Sequence, residues 1–101
     1  MAASDSFASG TWFVSEGKED EFVSRWIDFI EWTRDNADGF REANLLRSAK
    51  DPQRFLSVAV WDDEAAQARW RSTPGFLDKL GACRELCDDA QTGRFRRVAS
   101  V

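Results

Sequence analysis

Histidine and tyrosine do not occur in the 101 residues, which removes the side chain best suited to proton transfer near neutral pH and two common axial ligands of heme iron. Cysteine occurs twice, as Cys83 and Cys87 in LGACRELC. With no histidine and no third cysteine to complete a soft-ligand set, a zinc or c-type heme site is unsupported, and no metal site is expected. A disulfide inside one helical turn strains the helix, so the two read as reduced, partly buried thiols, with a redox-sensitive pair as the alternative. Basic charge is also scarce: 14 Lys and Arg against 18 Asp and Glu leave a net charge of −4, the wrong sign for general binding to nucleic-acid phosphates. Arg94, Arg96 and Arg97 cluster near the C-terminus, where they read as a solvated strand face. No run approaches the roughly 18 apolar residues of a membrane span. The first ten residues, MAASDSFASG, carry neither the basic nor the apolar region of a secretion signal. The expectation is a cytoplasmic protein with no nucleic-acid and no membrane partner.

What the chain does have is aromatic bulk. Five Trp and eight Phe exceed what one small core normally needs, so some of them should line a cavity or a subunit interface. With 43% apolar and 32% charged residues the chain should fold, and its length fits a single domain spanning residues 1–101.

Breaks at Gly17, Asp38-Gly39, Asp51-Pro52 and Thr73-Pro74-Gly75 cut the chain into six pieces. Phe7 to Ser15 alternates as a strand, with Ala8, Gly10, Trp12 and Val14 on one face. From Lys18 to Ala37, Phe22, Val23, Trp26, Ile27, Ile30 and Thr33 recur at helical spacing behind an acidic first turn, and Gly39 offers a C-terminal cap. Trp32 falls off that stripe, toward the core edge or a partner. Phe40 to Ser48 and Arg54 to Trp61 read as strands of a hairpin. In the second, Leu56, Val58 and Val60 suit helix packing, while Phe55, Ser57, Ala59 and Trp61 suit a cavity. Asp62 is the expected N-cap of a second helix, kinked at Thr73-Pro74-Gly75 and ending near Cys87. Thr92 to Val101 alternates as a last strand. The order βαββαβ predicts an α+β, ferredoxin-like fold: an antiparallel sheet with two helices on one face. The bare face would expose a large apolar patch, which predicts a homodimer.

The stretch RFLSVAVWDDEAAQARWRSTPGF, Arg54 to Phe76, resembles the antibiotic biosynthesis monooxygenase family: an apolar strand ending in Trp, an acidic cap, an Ala-rich helix, a second Trp and a break before Phe. DGFREANLLRS is similar to the family's second strand. The resemblance implies a dimeric α/β barrel. It also implies one of two activities. One branch oxidises polycyclic phenols to quinones with O2 and without metal or flavin, using a strand Trp paired with an Asn four residues earlier; Trp61 matches the Trp, and Ser57 stands where the Asn would be. The other branch degrades heme; Trp70 resembles its helix Trp, and Leu80 stands where its proximal His would be.

An oxygenase that uses no cofactor takes its electrons from the substrate, because O2 reacts with a closed-shell organic molecule only after electron transfer, and an enolate or phenolate is a good donor. The protein must then supply an apolar pocket and a group that stabilises the anion. Trp61 and Ser57 are the candidate catalytic residues. Trp70, Asn44, Phe55, Arg84 and Leu80 are the candidate substrate contacts, with Arg47 as a further source of positive charge. Each has a structural alternative: Trp61 and Trp70 as core, Asn44 at a sheet edge, Ser57 as a small residue between large ones, Arg47 and Arg84 in solvent. The expected partners are a small aromatic substrate, O2 and a second copy of the chain, with no cofactor. A ligand-binding dimer without turnover, and an isomerase or decarboxylase, are the alternatives.

Overall fold

A computed structural model of the chain describes residues 6–101; Met1 to Asp5, half of the segment read for a secretion signal, lie outside the described residues. The elements run β1 (Ser6–Val14), α1 (Glu19–Asn36), β2 (Phe40–Arg47), β3 (Arg54–Trp61), α2 (Glu64–Ser72), α3 (Phe76–Arg84) and β4 (Cys87–Arg96). The strands form one antiparallel sheet in the order β2-β3-β1-β4. This is the ferredoxin-like arrangement, and the sheet is open rather than closed into a barrel. No helix among the described residues is long and apolar enough to cross a membrane.

Trp12 and Val14 of β1, Phe55, Ala59 and Trp61 of β3, and Phe22, Trp26 and Phe29 of α1 share one core with Trp70, Phe76, Cys83 and Leu86. The face assignment of β3 is therefore the reverse of the expected one: Phe55, Ser57, Ala59 and Trp61 face the helices. Leu56, Val58 and Val60 lie on the open side, with Leu56 exposed. Both faces of this central strand are apolar, so alternation alone gave no sign of which one the helices cover. On α1, Phe29 rather than Ile27 completes the buried stripe of Phe22, Trp26 and Thr33, and Ile27 is exposed.

Helix ends also differ from expectation. Asp63, not Asp62, caps α2, its carboxylate accepting from the Ala66 N–H at 2.8 Å. Helix α1 closes on Ala37, whose N–H donates to the Thr33 carbonyl. Gly39 instead makes the turn into β2 at φ +88°, its carbonyl accepting from Asp62 N–H. A Cβ there would come within 2.6 Å of Ala66 Cβ. Thr73-Pro74-Gly75 divides the expected kinked helix into α2 and α3, with Gly75 left-handed at the start of α3. Strand β4 begins at Cys87 and stops at Arg96, not Thr92 to Val101, because β1 pairs with it from Ser6↔Arg96 to Val14↔Cys87. That pairing overrides the weak strand propensity of DDAQT.

Candidate active site

A cavity of about 440 Å³ lies between the sheet and the three helices, within the size range of small-molecule sites. Its walls are Trp12 from β1, Ser57 and Ala59 from β3, Trp26, Phe29 and Ile30 from α1, Trp70 from α2, and Phe76 and Leu80 from α3. Gln67, Arg71, Thr92 and Arg94 supply polar groups. The aromatic wall is held rather than loosely collected. Trp70 stacks on Phe29 with centroids 5.7 Å apart, meets Phe76 edge-on at 4.8 Å, and donates its indole N–H to Thr33 Oγ1 at 3.0 Å. A flat ring entering this cavity meets π faces already fixed in orientation, so little side-chain entropy remains to be lost on binding.

At the floor, Trp12 Nε1 donates to Ser57 Oγ at 3.0 Å. The contact exists because Gly10, opposite Ser57 in the β1–β3 register, has no side chain. A Cβ on Gly10 would lie 2.6 Å from Trp12 Nε1 and 2.8 Å from Ser57 Oγ. Accepting from an indole polarises the serine hydroxyl, and its own proton has no acceptor among the described residues, leaving it free to donate into the cavity. Above it, Gln67 is fully buried and donates to Ser6 Oγ at 2.7 Å, and its carbonyl accepts from Arg71 at 3.3 Å. Burial and the positive field of Arg94 hold the Arg71 guanidinium below its ordinary pKa, against the opposing charge of Glu64.

Of the sequence candidates, Ser57, Trp70 and Leu80 line this cavity. The other four do not. Trp61 is fully buried behind Trp70, with centroids 4.7 Å apart, and packs on Phe40; its Nε1 finds no partner among the described residues. Phe55 packs beneath Phe22 and borders a separate recess beside Val23 and Arg47. Asn44 is exposed on the open side of the sheet and donates to Glu42. Arg84 is exposed on α3. Arg47, the further candidate, donates to the Pro52 carbonyl and lies over the Phe55 ring. The residues the sequence reading missed carried usable signals. Gly10 in a strand interior marks a close approach, and Gln67 occupies a core-facing position of an amphipathic helix. Arg94, read as part of a solvated strand face, stands opposite Ala8 on the cavity side of β4.

The thiols stand apart from this cavity. Cys87 Sγ approaches the Cys83 carbonyl at 3.5 Å, and no disulfide joins the pair. Burial first, and the neighbouring Cys87, push Cys83 to about 12; burial and Asp88 push Cys87 to about 11. Both are protonated at neutral pH. Among the described residues no group of three or more His, Cys, Asp or Glu is placed to hold a metal ion.

A search of curated proteins found no match. Among solved structures, the fold is similar to SnoaB of Streptomyces nogalater, described as a cofactor-independent oxygenase, at 26% identity over 98% of each chain with a TM-score of 0.88. An asparagine-to-alanine variant of SnoaB superposes at 0.89. A conserved protein of Methanosarcina mazei (16% identity, 95% of each chain, TM-score 0.83) and PA3566 of Pseudomonas aeruginosa (18%, 98% and 99%, 0.77) share the fold. The family model for antibiotic biosynthesis monooxygenase matches residues 7–79, from β1 through part of α3, and the chain belongs to that family.

Proposed function

We propose that the protein is a cofactor-independent monooxygenase that oxidises a planar aromatic or quinol-type molecule with O2, in the cavity between sheet and helices. The observation that carries this reading is the aromatic cavity floored by a serine hydroxyl already polarised by Trp12. Similarity to SnoaB supports it. The substrate ring lies against Trp70, Trp26 and Phe29, and its oxygen accepts from Ser57. That hydrogen bond strengthens as the oxygen gains negative charge, which favours the enolate or phenolate. The carbanionic carbon then reduces O2 and bonds to it. Loss of water from the resulting hydroperoxide converts the ring methylene to a carbonyl. One oxygen atom of O2 stays on the carbon; the peroxide takes up a proton from water in place of the one lost, and its outer oxygen leaves as water with the remaining methylene hydrogen. Among the described residues no carboxylate lines the cavity, and the chain has no imidazole; the proton leaves to water, and the rate is expected to follow the ionisation of the substrate.

Oxygen consumption with anthrone and related polycyclic phenols, in the presence of a chelator, tests the reading. Uptake with quinone formation is expected, and Ser57→Ala should lower it by about 100-fold, the lower end of the range for removing an oxyanion contact. Tight binding of the same compounds without uptake would replace the oxygenase with a ligand-binding protein.

We further propose that the functional unit is a homodimer formed through the open sheet face. Leu46, Leu56 and Phe95 are exposed there beside the half-buried Phe7, Phe13, Val58 and Val60, an apolar patch of the kind that marks an interface. Sedimentation should give a dimer, and Leu56→Asp should give a monomer; a monomeric wild-type protein would remove this reading.

A further inference from the structure

Arg71 and Arg94 both line the cavity, Arg71 from the last turn of α2 and Arg94 from β4. Neither has an acidic partner within salt-bridge distance among the described residues, although the protein carries more acid than base. Among the described residues the only side-chain hydrogen bond of Arg71 is to the neutral amide of Gln67. That amide is itself held by Ser6 from the fully buried Gln67 side chain, so Arg71 is aimed by a polar chain that leaves most of its donors unused. Arg94 makes no hydrogen bond or ion pair among the described residues. Two like charges are thus kept near one another beside a mostly aromatic cavity; burial first, and the charge of Arg94 second, lower the proton affinity of Arg71, with Glu64 acting against them. An anion between them would relieve that repulsion, and two planar guanidiniums match a carboxylate in geometry as well as charge.

The position of the pair indicates what carries the anion. Ser57 lies opposite Gly10, Gly10 lies opposite Thr92, and Arg94 is two residues farther along β4 on the same sheet face. Two strand spacings of about 4.8 Å and two residue rises of about 3.4 Å place the Cα atoms of Ser57 and Arg94 about 12 Å apart. A fused multi-ring system bridges such a gap, with its reacting oxygen at Ser57 and a second, acidic group at the arginines. We propose that Arg71 and Arg94 form a carboxylate-binding subsite, and that the natural ligand is a multi-ring aromatic acid whose acid group is separate from its reacting centre. This rests on reading the cavity as the ligand site and deepens the function proposed above.

Binding is the test, because it does not depend on turnover. Anthracene-2-carboxylate, its neutral counterpart 2-(hydroxymethyl)anthracene, and 2-anthrol are titrated against the full chain by quenching of tryptophan fluorescence, three of the five tryptophans lining the cavity. The carboxylate should bind at least about tenfold more tightly than the alcohol, the factor expected of a charge-assisted hydrogen bond, and high salt should narrow the gap. Arg71→Gln and Arg94→Gln should each lose most of that preference while the alcohol binds as before, and Arg94→Lys should regain part of it. Arg94 is exposed, so its variants are expected to keep the wild-type circular dichroism. Equal affinity for acid and alcohol would overturn the subsite, as would arginine variants that weaken both alike. A preference confined to the ionised anthrol would overturn it too, assigning the arginines to the reacting oxygen. Acid preference without oxygen uptake from any substrate would leave the subsite standing and remove the oxygenase. Failure of all three probes to bind would remove the cavity reading and the subsite with it.

Discussion

Trp61→Ala is expected to destabilise the protein by about 3–5 kcal/mol, the range for truncating a fully buried large aromatic. Trp61 has no exposed surface and contacts Phe40 and Trp70. The neighbours cannot close the space, because Trp70 is tied to Thr33 and wedged between Phe29 and Phe76. For a chain of this length each kcal/mol moves the melting point by roughly 4–8 °C, so the loss should exceed about 12 °C. Trp61→Phe should cost far less: it leaves a smaller void, and it deletes an indole N–H that has no partner among the described residues and whose burial costs about 1–3 kcal/mol. Urea unfolding at one fixed protein concentration is the measurement, since a dimer makes stability depend on concentration. An unchanged m-value is required to read the midpoint as stability. A loss below about 1 kcal/mol for Trp61→Ala would mean that the indole is not part of the packed core. Because Trp61 backs Trp70, the alanine variant should also weaken aromatic ligands, although Trp61 itself does not line the cavity.

That pairing of roles shows where the sequence was informative and where it was not. The strand and helix periods of β1, α1, β2 and β3, with the breaks at Gly39 and Pro74, gave the element order, and the order gave the fold. The motif spacing in Arg54 to Phe76 pointed to the family. Neither route located the cavity. Trp61 and Trp70 look equivalent along the chain, yet β3 ends by turning Trp61 into the sealed core while α2 turns Trp70 into the cavity wall. The difference lies in the tertiary contacts of Trp70 with Phe29, Phe76 and Thr33, which no local pattern encodes. Trp12 was placed on the correct strand face together with Gly10, but its contact with Ser57 depends on the β1–β3 register across 45 residues. Arg94 read as part of a solvated strand face because three arginines cluster there in an acidic chain, and the β1–β4 register places it opposite Ala8 on the cavity side. The start of β4 is likewise set by pairing with β1, a tertiary effect that overrides local propensity. Arg84 and Arg47 carried the same charge and looked equally placed to stabilise an anion; helix phase and the hairpin turn direct them elsewhere.

The Gly10 position yields the other large expected effect. Gly10→Ala introduces a Cβ closer than 3.0 Å to both Trp12 Nε1 and Ser57 Oγ, so the Trp12 ring, the serine or the strands must move. The ring has little freedom: Trp12 is 2% exposed and packs on Phe22 with centroids 5.3 Å apart. Overpacking of this kind costs about 1–3 kcal/mol, so the sheet should survive while the Trp12–Ser57 hydrogen bond does not. With the hydroxyl displaced by about an ångström, oxygen uptake should fall by about 100-fold, the loss that a misplacement of this size produces. The melting point, by contrast, should drop less than for Trp61→Ala. Combining Gly10→Ala with Ser57→Ala separates the two contacts. The second change removes the Oγ clash but leaves the indole clash, so the stability losses should be less than additive by about 0.5–1 kcal/mol, within the range for residues in direct contact. Strict additivity would show that Gly10 and Ser57 do not share the space the structure assigns to them. Wild-type uptake in the Gly10→Ala protein would separate the reaction from the Trp12–Ser57 pair and move the search for the reacting oxygen's partner toward Gln67 and Thr92 on the same cavity wall.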